Sequence, residues 1–463
     1  MSFLKLASYK RPLAEGETPF ELFERLRGRS ALLMKGGENG RYTFIAYDPF
    51  ARVWSRDGVT SLLRLRDFCG WKKAGVRIFE KEPLTVLREL VRDFRFGGKS
   101  PVPFCGGVAG YFSYDFGAKL TGMDQKVHDD TELPDFVFFF VDKVLAVDHE
   151  RRELCFLSLA STDMEAERRL ETMEHDLQSP KPVTGSGAAG KISSNLSFPQ
   201  YEKKIAEVKL RLREGDTYQV NFSQRFSGEC TLDGWTVFRK LSGMSPAPYA
   251  CFFDCGDFQI ISSSPELLFS KRGSRLVTRP IKGTVPRGKD DEEDENNIRK
   301  LLASKKDEAE LAMIVDLERN DLGKVCDAGS VKVTSHRDVE RYATVIHTVS
   351  TVEGKLLHGK DFFDVVEAMF PGGSITGCPK KRTMEIIDDL EDFRRGVYTG
   401  SAGYLGFDGN GELNILIRTM LLKDRMIYFH SGGGIVMDSD PKLEYEETLH
   451  KSRAFNEILA KSR

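Results

Sequence analysis

The longest unbroken apolar run in this 463-residue chain is Phe136 to Val141, FVFFFV. A bilayer-spanning helix needs about 20 such residues, so the run is too short to cross a membrane and suits a strand buried on both faces. The chain must therefore assemble a large core from many short pieces. Hydrophobic residues make up 40% and charged residues 30%, ordinary for a soluble protein. A net charge of −2 gives no electrostatic reason to expect nucleic acid or an anionic membrane as partner. The start, MSFLKLASYKRPL, lacks the apolar stretch of a secretion signal, and eight cysteines without a CxxC pair point to reduced thiols and a cytoplasmic protein.

At this length the chain has room for two or three domains or for one unusually large one. One compositional break stands out, SPKPVTGSGAAGKISSN from Ser179 to Asn195, which reads as a linker or long surface loop and divides the chain into regions 1–190 and 191–463. Strand signals such as VFFFVDKVLAVDH and ELCFLSLA precede it, with a helix around Pro83 to Phe94. After it, a capping box from Ser197 to Gln200 opens a helix that closes near Gly215. Asp408-Gly409-Asn410-Gly411 is hairpin punctuation and argues for antiparallel pairing in the C-terminal half. The acidic run Asp290 to Glu295 reads as a solvated loop or helix start.

The residues that carry chemistry lie after the break. Lys282, in Thr278-Arg279-Pro280-Ile281-Lys282-Gly283-Thr284, is either a solvated turn lysine or a covalent nucleophile. As a nucleophile it must fall from a pKa of roughly 10.4 toward neutrality, through burial or nearby cations. The last helix starts at Asp440-Pro441 as N-cap and N1. At about 100° per residue, Glu444, Glu447, Lys451, Phe455 and Ile458 share one side, so two carboxylates and an amine occupy a face that later turns apolar. Either a divalent cation relieves their burial or Glu447 and Lys451 form a surface i,i+4 pair. A helix over Glu308 to Leu317 is apolar nearly all round, so Glu310 and Asp316 need partners, Asp316 near Arg319-Asn320-Asp321 reading alternatively as purely structural. All-oxygen ligands without His or Cys suit Mg²⁺. Arg418 interrupts the strand LNILIRTMLL and awaits either an internal salt bridge or a bidentate anion. Gly432, Gly433 and Gly434 follow the strand MIYFH, where backbone N–H groups would approach an anion. PGGSITGCPKKR has the glycine spacing of a phosphate-binding loop but Cys378 where its lysine belongs, and the helix after Pro379 would face an anion.

Taken together, GDTYQVNFSQRF, SSSPELLF, RPIKGT, EAELAMIVDLERNDLG, VIHTVSTVEG, PGGSITGCPKKR, RRGVYTGSAGY, IRTML, SGGGIVMDSDP and EYEETLHKS resemble the chorismate-utilising enzyme family, in its order, from about Ser197 to the end. The N-terminal part is similar more loosely, through LLMKGGENGRYTFIAYDP and GGVAGYFSYD. The resemblance implies an α/β fold in the α+β sense, of the anthranilate synthase component I type: two large, mainly antiparallel β-sheets packed together with helices outside. It implies Glu266 as general acid, Mg²⁺ surrounded by Glu310, Glu444 and Glu447, and carboxylates held by Tyr398, Arg418, Lys451 and the Gly432–Gly434 backbone. His347, Thr376, Thr284 and Gln219 would line the substrate pocket.

Two positions discriminate within the family. Members that add water carry lysine where Gln219 stands, so Gln219 implies an ammonia user. Members that aminate ring carbon 2, giving anthranilate, resemble PIAGT, whereas PIKGT here matches those that aminate carbon 4. Lys282 would take carbon 2 covalently, leaving carbon 4 to ammonia. The implied product is 4-amino-4-deoxychorismate, for 4-aminobenzoate and folate, by a transaminase-class amination. Its ammonia would come from a separate glutaminase (glutamine amidotransferase) subunit. Amination at carbon 2 is the alternative, and a non-catalytic binding subunit is a remoter one. Relatives regulated by tryptophan carry LLES where Leu32-Leu33-Met34-Lys35 stands, so tryptophan feedback is not expected, although SPAPY, Ser245 to Tyr249, resembles another wall of that pocket.

Overall fold

A computed structural model describes residues 1–178 and 187–460. The first part of the expected linker, residues 179–186, therefore lies outside the described residues.

Two twelve-stranded sheets carry the molecule. Every pairing within them is antiparallel; the parallel pair Ser2–Phe3 with Phe94–Arg95 stands apart. In the first sheet the C-terminal strands from Ile281–Pro286 to Ser401–Gly406 continue into Gly107–Phe112, Phe136–Val141, Ala51–Arg56, Val59–Arg64 and Ala74–Phe79. In the second, Gln219–Glu229, Met426–Ile435, Thr419–Lys423, Phe258–Ser262 and Cys251–Asp254 continue into Leu32–Gly36 and the remaining N-terminal strands. Each sheet thus runs across the boundary at 190, at Gly107–Phe112 with Ser401–Gly406 and at Leu32–Gly36 with Cys251–Asp254.

Phe136–Val141 is buried at all six positions, as its unbroken apolar run requires. It belongs to the large cluster that includes Phe44, Phe50, Phe104 and Tyr111. Helices cover the second sheet through a separate cluster around Trp235, Phe23, Phe252, Phe429 and Phe455. Among the described residues no helix is long and apolar enough to cross a membrane. All eight cysteines are free.

Local signals in the sequence appear where their chemistry requires. Ser197 and Gln200 form the capping box of helix Phe198–Arg213, and Gly215 follows it with φ of +81°. Asp290 caps helix Asp291–Ala303, whose first turn takes up the acidic run where the helix dipole favours it. The 83–94 helix is Pro83–Arg92. Gly409, at φ +80°, turns Ser401–Gly406 back into Gly411–Asn414.

Among the described residues, four short segments carry the chain directly from one sheet to the other, residues 47–50, Asp142, 263–266 and 415–418; the longer connections before and after Gly377–Cys378 cross as well. Segments 263–266 and 415–418 join strands that are neighbours in both sheets, and they lie against each other. Ile415 N–H donates to the Glu266 carbonyl at 3.0 Å, Ser263 N–H to the Arg418 carbonyl at 3.1 Å, and the Ser264 hydroxyl to the Ile415 carbonyl at 2.5 Å. Glu266 and Arg418 are therefore fixed by the same double crossing.

Candidate active site

The site is built outward from that crossing. Glu266 is 5% exposed, and burial drives its carboxyl pKa up, against a smaller downward pull from the Ser374 hydroxyl and the Lys282 ammonium. A carboxyl whose pKa is raised in this way is better suited to hold and deliver a proton. Arg418 holds φ at +49°, one residue before strand Thr419–Lys423. Its guanidinium is largely buried, which lowers its pKa, and it has no ion-pair partner among the described residues. The internal salt bridge that was one of its two expectations is absent there, and an anion is left as the group to satisfy it.

Lys282 lies in strand Ile281–Pro286, opposite Val345–Lys355. Lys282 pairs with Thr348 and Thr284 with His347, so Gly283 is a bulge residue, at φ +78°. A Cβ there would meet Leu301 Cδ1 at 2.8 Å, which is why the residue after the lysine is glycine. Lys282 Nζ is 3.9 Å from Glu310 Oε2 with its side chain 15% exposed, so it is no solvated turn lysine. His347 Nδ1 is 2.7 Å from the Thr284 hydroxyl, and its Nε2 is buried without a partner. Burial, aided by the charge of Arg418, lowers the His347 pKa to about 4, so the ring is neutral at pH 7.

A second wall comes from strand Gln219–Glu229. Val220 and Phe222 pack into an apolar cluster with Ile205, Val208, Ile386 and Ile387, so Gln219 and Asn221 face the other way. The loop after Phe370 is pinned to this strand: Asn221 N–H donates to the Thr376 carbonyl at 2.8 Å, and Gly377–Cys378 pairs with Gln219 and Val220. Gln219 is fully buried with neither amide atom satisfied, while Thr376 donates to the Gly372 carbonyl at 2.9 Å. Tyr398 stacks on His430 with centroids 5.0 Å apart, and burial pushes its hydroxyl to about 12.

The carboxylates gather where helices Lys305–Gly323 and Pro441–Ala460 approach Gly433. A Cβ on Gly433 would lie 3.3 Å from Glu444 Oε2, 3.6 Å from Glu447 Oε1 and 3.9 Å from Lys451 Nζ. Glu444 is buried and accepts from the Ser439 hydroxyl at 2.7 Å; Glu310 Oε1 is buried and makes no hydrogen bond. Glu447 and Lys451 form the i,i+4 pair: they lie 2.7 Å apart, half exposed, and Lys451 also donates to the Gly432 carbonyl at 2.9 Å. Among the described residues no three His, Cys, Asp or Glu side chains converge tightly enough to hold a metal by themselves. The donor set is nonetheless all oxygen, with one orphaned oxygen and room left by a glycine, which fits an ion that takes few protein carboxylates and completes its shell from substrate and water.

Two expectations need correction. Gly432–Gly434 do not follow the strand but belong to it, since Met426–Ile435 pairs throughout with Gln219–Glu229. Glycine is required there because Cβ atoms would strike the Phe222 carbonyl at 2.4 Å from Gly432 and Gln219 Nε2 at 2.6 Å from Gly434. Asp316 needs no buried partner: it is exposed, 2.8 Å from Arg319, and helix Lys305–Gly323 buries Glu318 and Asp321 instead. Residues not singled out in the sequence also shape the site. Ser374 was visible inside PGGSITG; Lys306, in a charged run, carried no signal.

Gln219, Glu310, His347 and Ser374 leave buried polar atoms without a hydrogen bond, and the Arg418 guanidinium has no ion pair among the described residues, which suits a pocket for a polar, anionic ligand. A family model described as chorismate binding enzyme matches residues 30–457. The chain belongs to this family of chorismate-binding enzymes. Aminodeoxychorismate synthase component 1 of Bacillus subtilis is 37% identical over 437 residues, covering 92% of this chain and 91% of that protein. Anthranilate synthase component 1 of Thermus thermophilus is 36% identical over 450 residues, covering 96% and 95%. The crystal structure of anthranilate synthase component I from Streptococcus pneumoniae superposes with a TM-score of 0.80 at 30% identity, covering 96% of this chain and 99% of that one. The fold is thus the mixed α/β architecture of two large antiparallel sheets, and the chain is a chorismate-utilising enzyme. Relatives of both kinds match about equally, and nothing in them supports a transaminase-class label.

Proposed function

We propose that the chain is the chorismate-aminating component of an aminodeoxychorismate synthase, converting chorismate and ammonia to 4-amino-4-deoxychorismate and water. The observation that carries this reading is Lys282, a largely buried amine 3.9 Å from Glu310 and within electrostatic reach of Glu266, whose carboxyl pKa burial raises. The Lys282 amine bonds to ring carbon 2 as the 4-hydroxyl leaves with the Glu266 proton, giving water, a cationic adduct and the Glu266 carboxylate. Ammonia then bonds to carbon 4 as the carbon 2–nitrogen bond breaks, releasing Lys282 as the free amine. The new ammonium returns its proton to Glu266, which restores the enzyme.

Arg418, Lys451 and Tyr398 would hold the substrate's carboxylates, and His347, Thr284, Thr376 and Gln219 the ring and its incoming nitrogen donor. Glu310, Glu444 and Glu447 would hold Mg²⁺, which when bound neutralises a substrate carboxylate. The component 1 relatives imply a second component, which we assign as a glutaminase delivering ammonia. The product suits a following lyase that makes 4-aminobenzoate for folate, in the cytoplasm.

Near-equal identity to anthranilate synthases favours a second reading, amination at carbon 2. Incubation with chorismate, ammonium and Mg²⁺ separates the two. The first reading requires 4-aminobenzoate only when an aminodeoxychorismate lyase is added, and its loss in Lys282→Ala. A blue-fluorescent product without the lyase, undiminished in Lys282→Ala, would establish the second.

A further inference from the structure

The carboxylates of the cleft already hold a cation that belongs to the chain. Lys306, the second residue of helix Lys305–Gly323, places Nζ 3.5 Å from Glu444 Oε1 and 3.9 Å from Glu310 Oε1. Glu310 is its own i+4 neighbour, but Glu444 stands on the C-terminal helix, so one ammonium links the two helices that carry the proposed metal ligands. Burial alone would depress the Lys306 pKa; Glu444 and Glu310 outweigh it and leave the pKa raised. The side chain is 55% exposed, and its four-carbon stem gives the charge a path into water.

We propose that Lys306 is a tethered counter-ion, which occupies the carboxylates between turnovers and is displaced when a divalent cation enters. The inference rests on the metal reading above. Without some positive charge, Glu310 and Glu444 would confront each other at low screening, which disfavours the empty cleft. With a divalent ion bound, an ammonium this close to its ligands is repelled and moves to solvent. Lys306 therefore lowers metal affinity while preserving the shape of the empty site. Lys282 also offsets Glu310, from its other oxygen, but among the described residues it makes no ion pair with Glu444, which Lys306 does.

The test is direct binding of Mn²⁺ to the full chain without substrate, read from the loss of the free-ion paramagnetic signal, with thermal midpoints measured alongside. Lys306→Met is expected to bind Mn²⁺ about tenfold more tightly than the wild type. Its midpoint without metal should be lower and its Mn²⁺-induced rise larger. Lys306→Arg, which keeps the charge, should not gain affinity; a gain like that of Lys306→Met would overturn the inference. If the wild type binds Mn²⁺, Glu310→Gln weakens it and Lys306→Met leaves it equal or weaker, the counter-ion idea fails while the metal reading stands. If the wild type binds no Mn²⁺ that Glu310→Gln abolishes, the metal reading fails and takes this inference with it. Lys306→Gln repeats the comparison should the methionine variant not fold.

Discussion

At the scale of single residues the site is defined by polar groups that the protein leaves unsatisfied. Arg418 carries the charge, a largely buried guanidinium without an ion-pair partner among the described residues. Arg418→Gln should raise the KM for chorismate by about 100-fold, since losing a buried charge-assisted pair costs about 2–5 kcal/mol, while the fold is spared because no internal salt bridge breaks. Steady-state kinetics with a parallel thermal melt decide this. His347 makes a pH prediction. Its folded pKa of about 4 lies below the usual 6.5, so between those values the unfolded chain binds a proton that the folded chain refuses. Stability at this residue is thus present above about pH 6.5 and lost as the pH falls toward 4, by about 2–3 kcal/mol at the lower end. Denaturant titrations at pH 7 and 4.5 should show the wild type losing more stability than His347→Gln; equal losses would exclude this origin.

Among elements, strand Met426–Ile435 separates folding from function within three consecutive glycines. Gly432→Ala would drive a methyl into the Phe222 carbonyl and should destabilise the sheet by a few kcal/mol. Gly433→Ala meets only carboxylate and ammonium ends at 3.3–3.9 Å, so it should melt within a few degrees of the wild type while losing most of its activity. The opposite ranking of melting points would show that the cradle is not where the structure puts it. The bulge at Gly283 belongs to the same scale. Its positive φ and the Leu301 contact at 2.8 Å mean that Gly283→Val should cost both stability and turnover, because the strand that aims Lys282 must straighten or shift. The capping box of helix Phe198–Arg213 and the turn at Gly409 were legible in advance, because a cap or turn is decided by a few adjacent residues. Whether Gly432–Gly434 is loop or strand depends on what lies alongside it, and the residues themselves do not say.

For the whole molecule, the decisive fact is that both sheets cross the compositional break near residue 190. A fragment of residues 191–463 would expose the edges of Ser401–Gly406 and Cys251–Asp254, each of which pairs with an N-terminal strand. Such edges template aggregation. We expect the fragment to be insoluble or unfolded by circular dichroism, whereas co-expression with residues 1–190 should restore a soluble complex; an independently folded 191–463 fragment would contradict the shared-sheet architecture. The amino-acid sequence by itself determined the family, the caps and turns, and the buried FVFFFV strand, because these reside in local pattern and residue type. Only the tertiary structure decided which of those side chains remain unpaired, that Glu266 and Arg418 are held by one double crossing, that Asp316 is a surface residue, and that Lys306 reaches Glu444. Periodicity reports the face on which a residue lies, but a polar group's partner is set by whichever distant segment the sheets bring against that face.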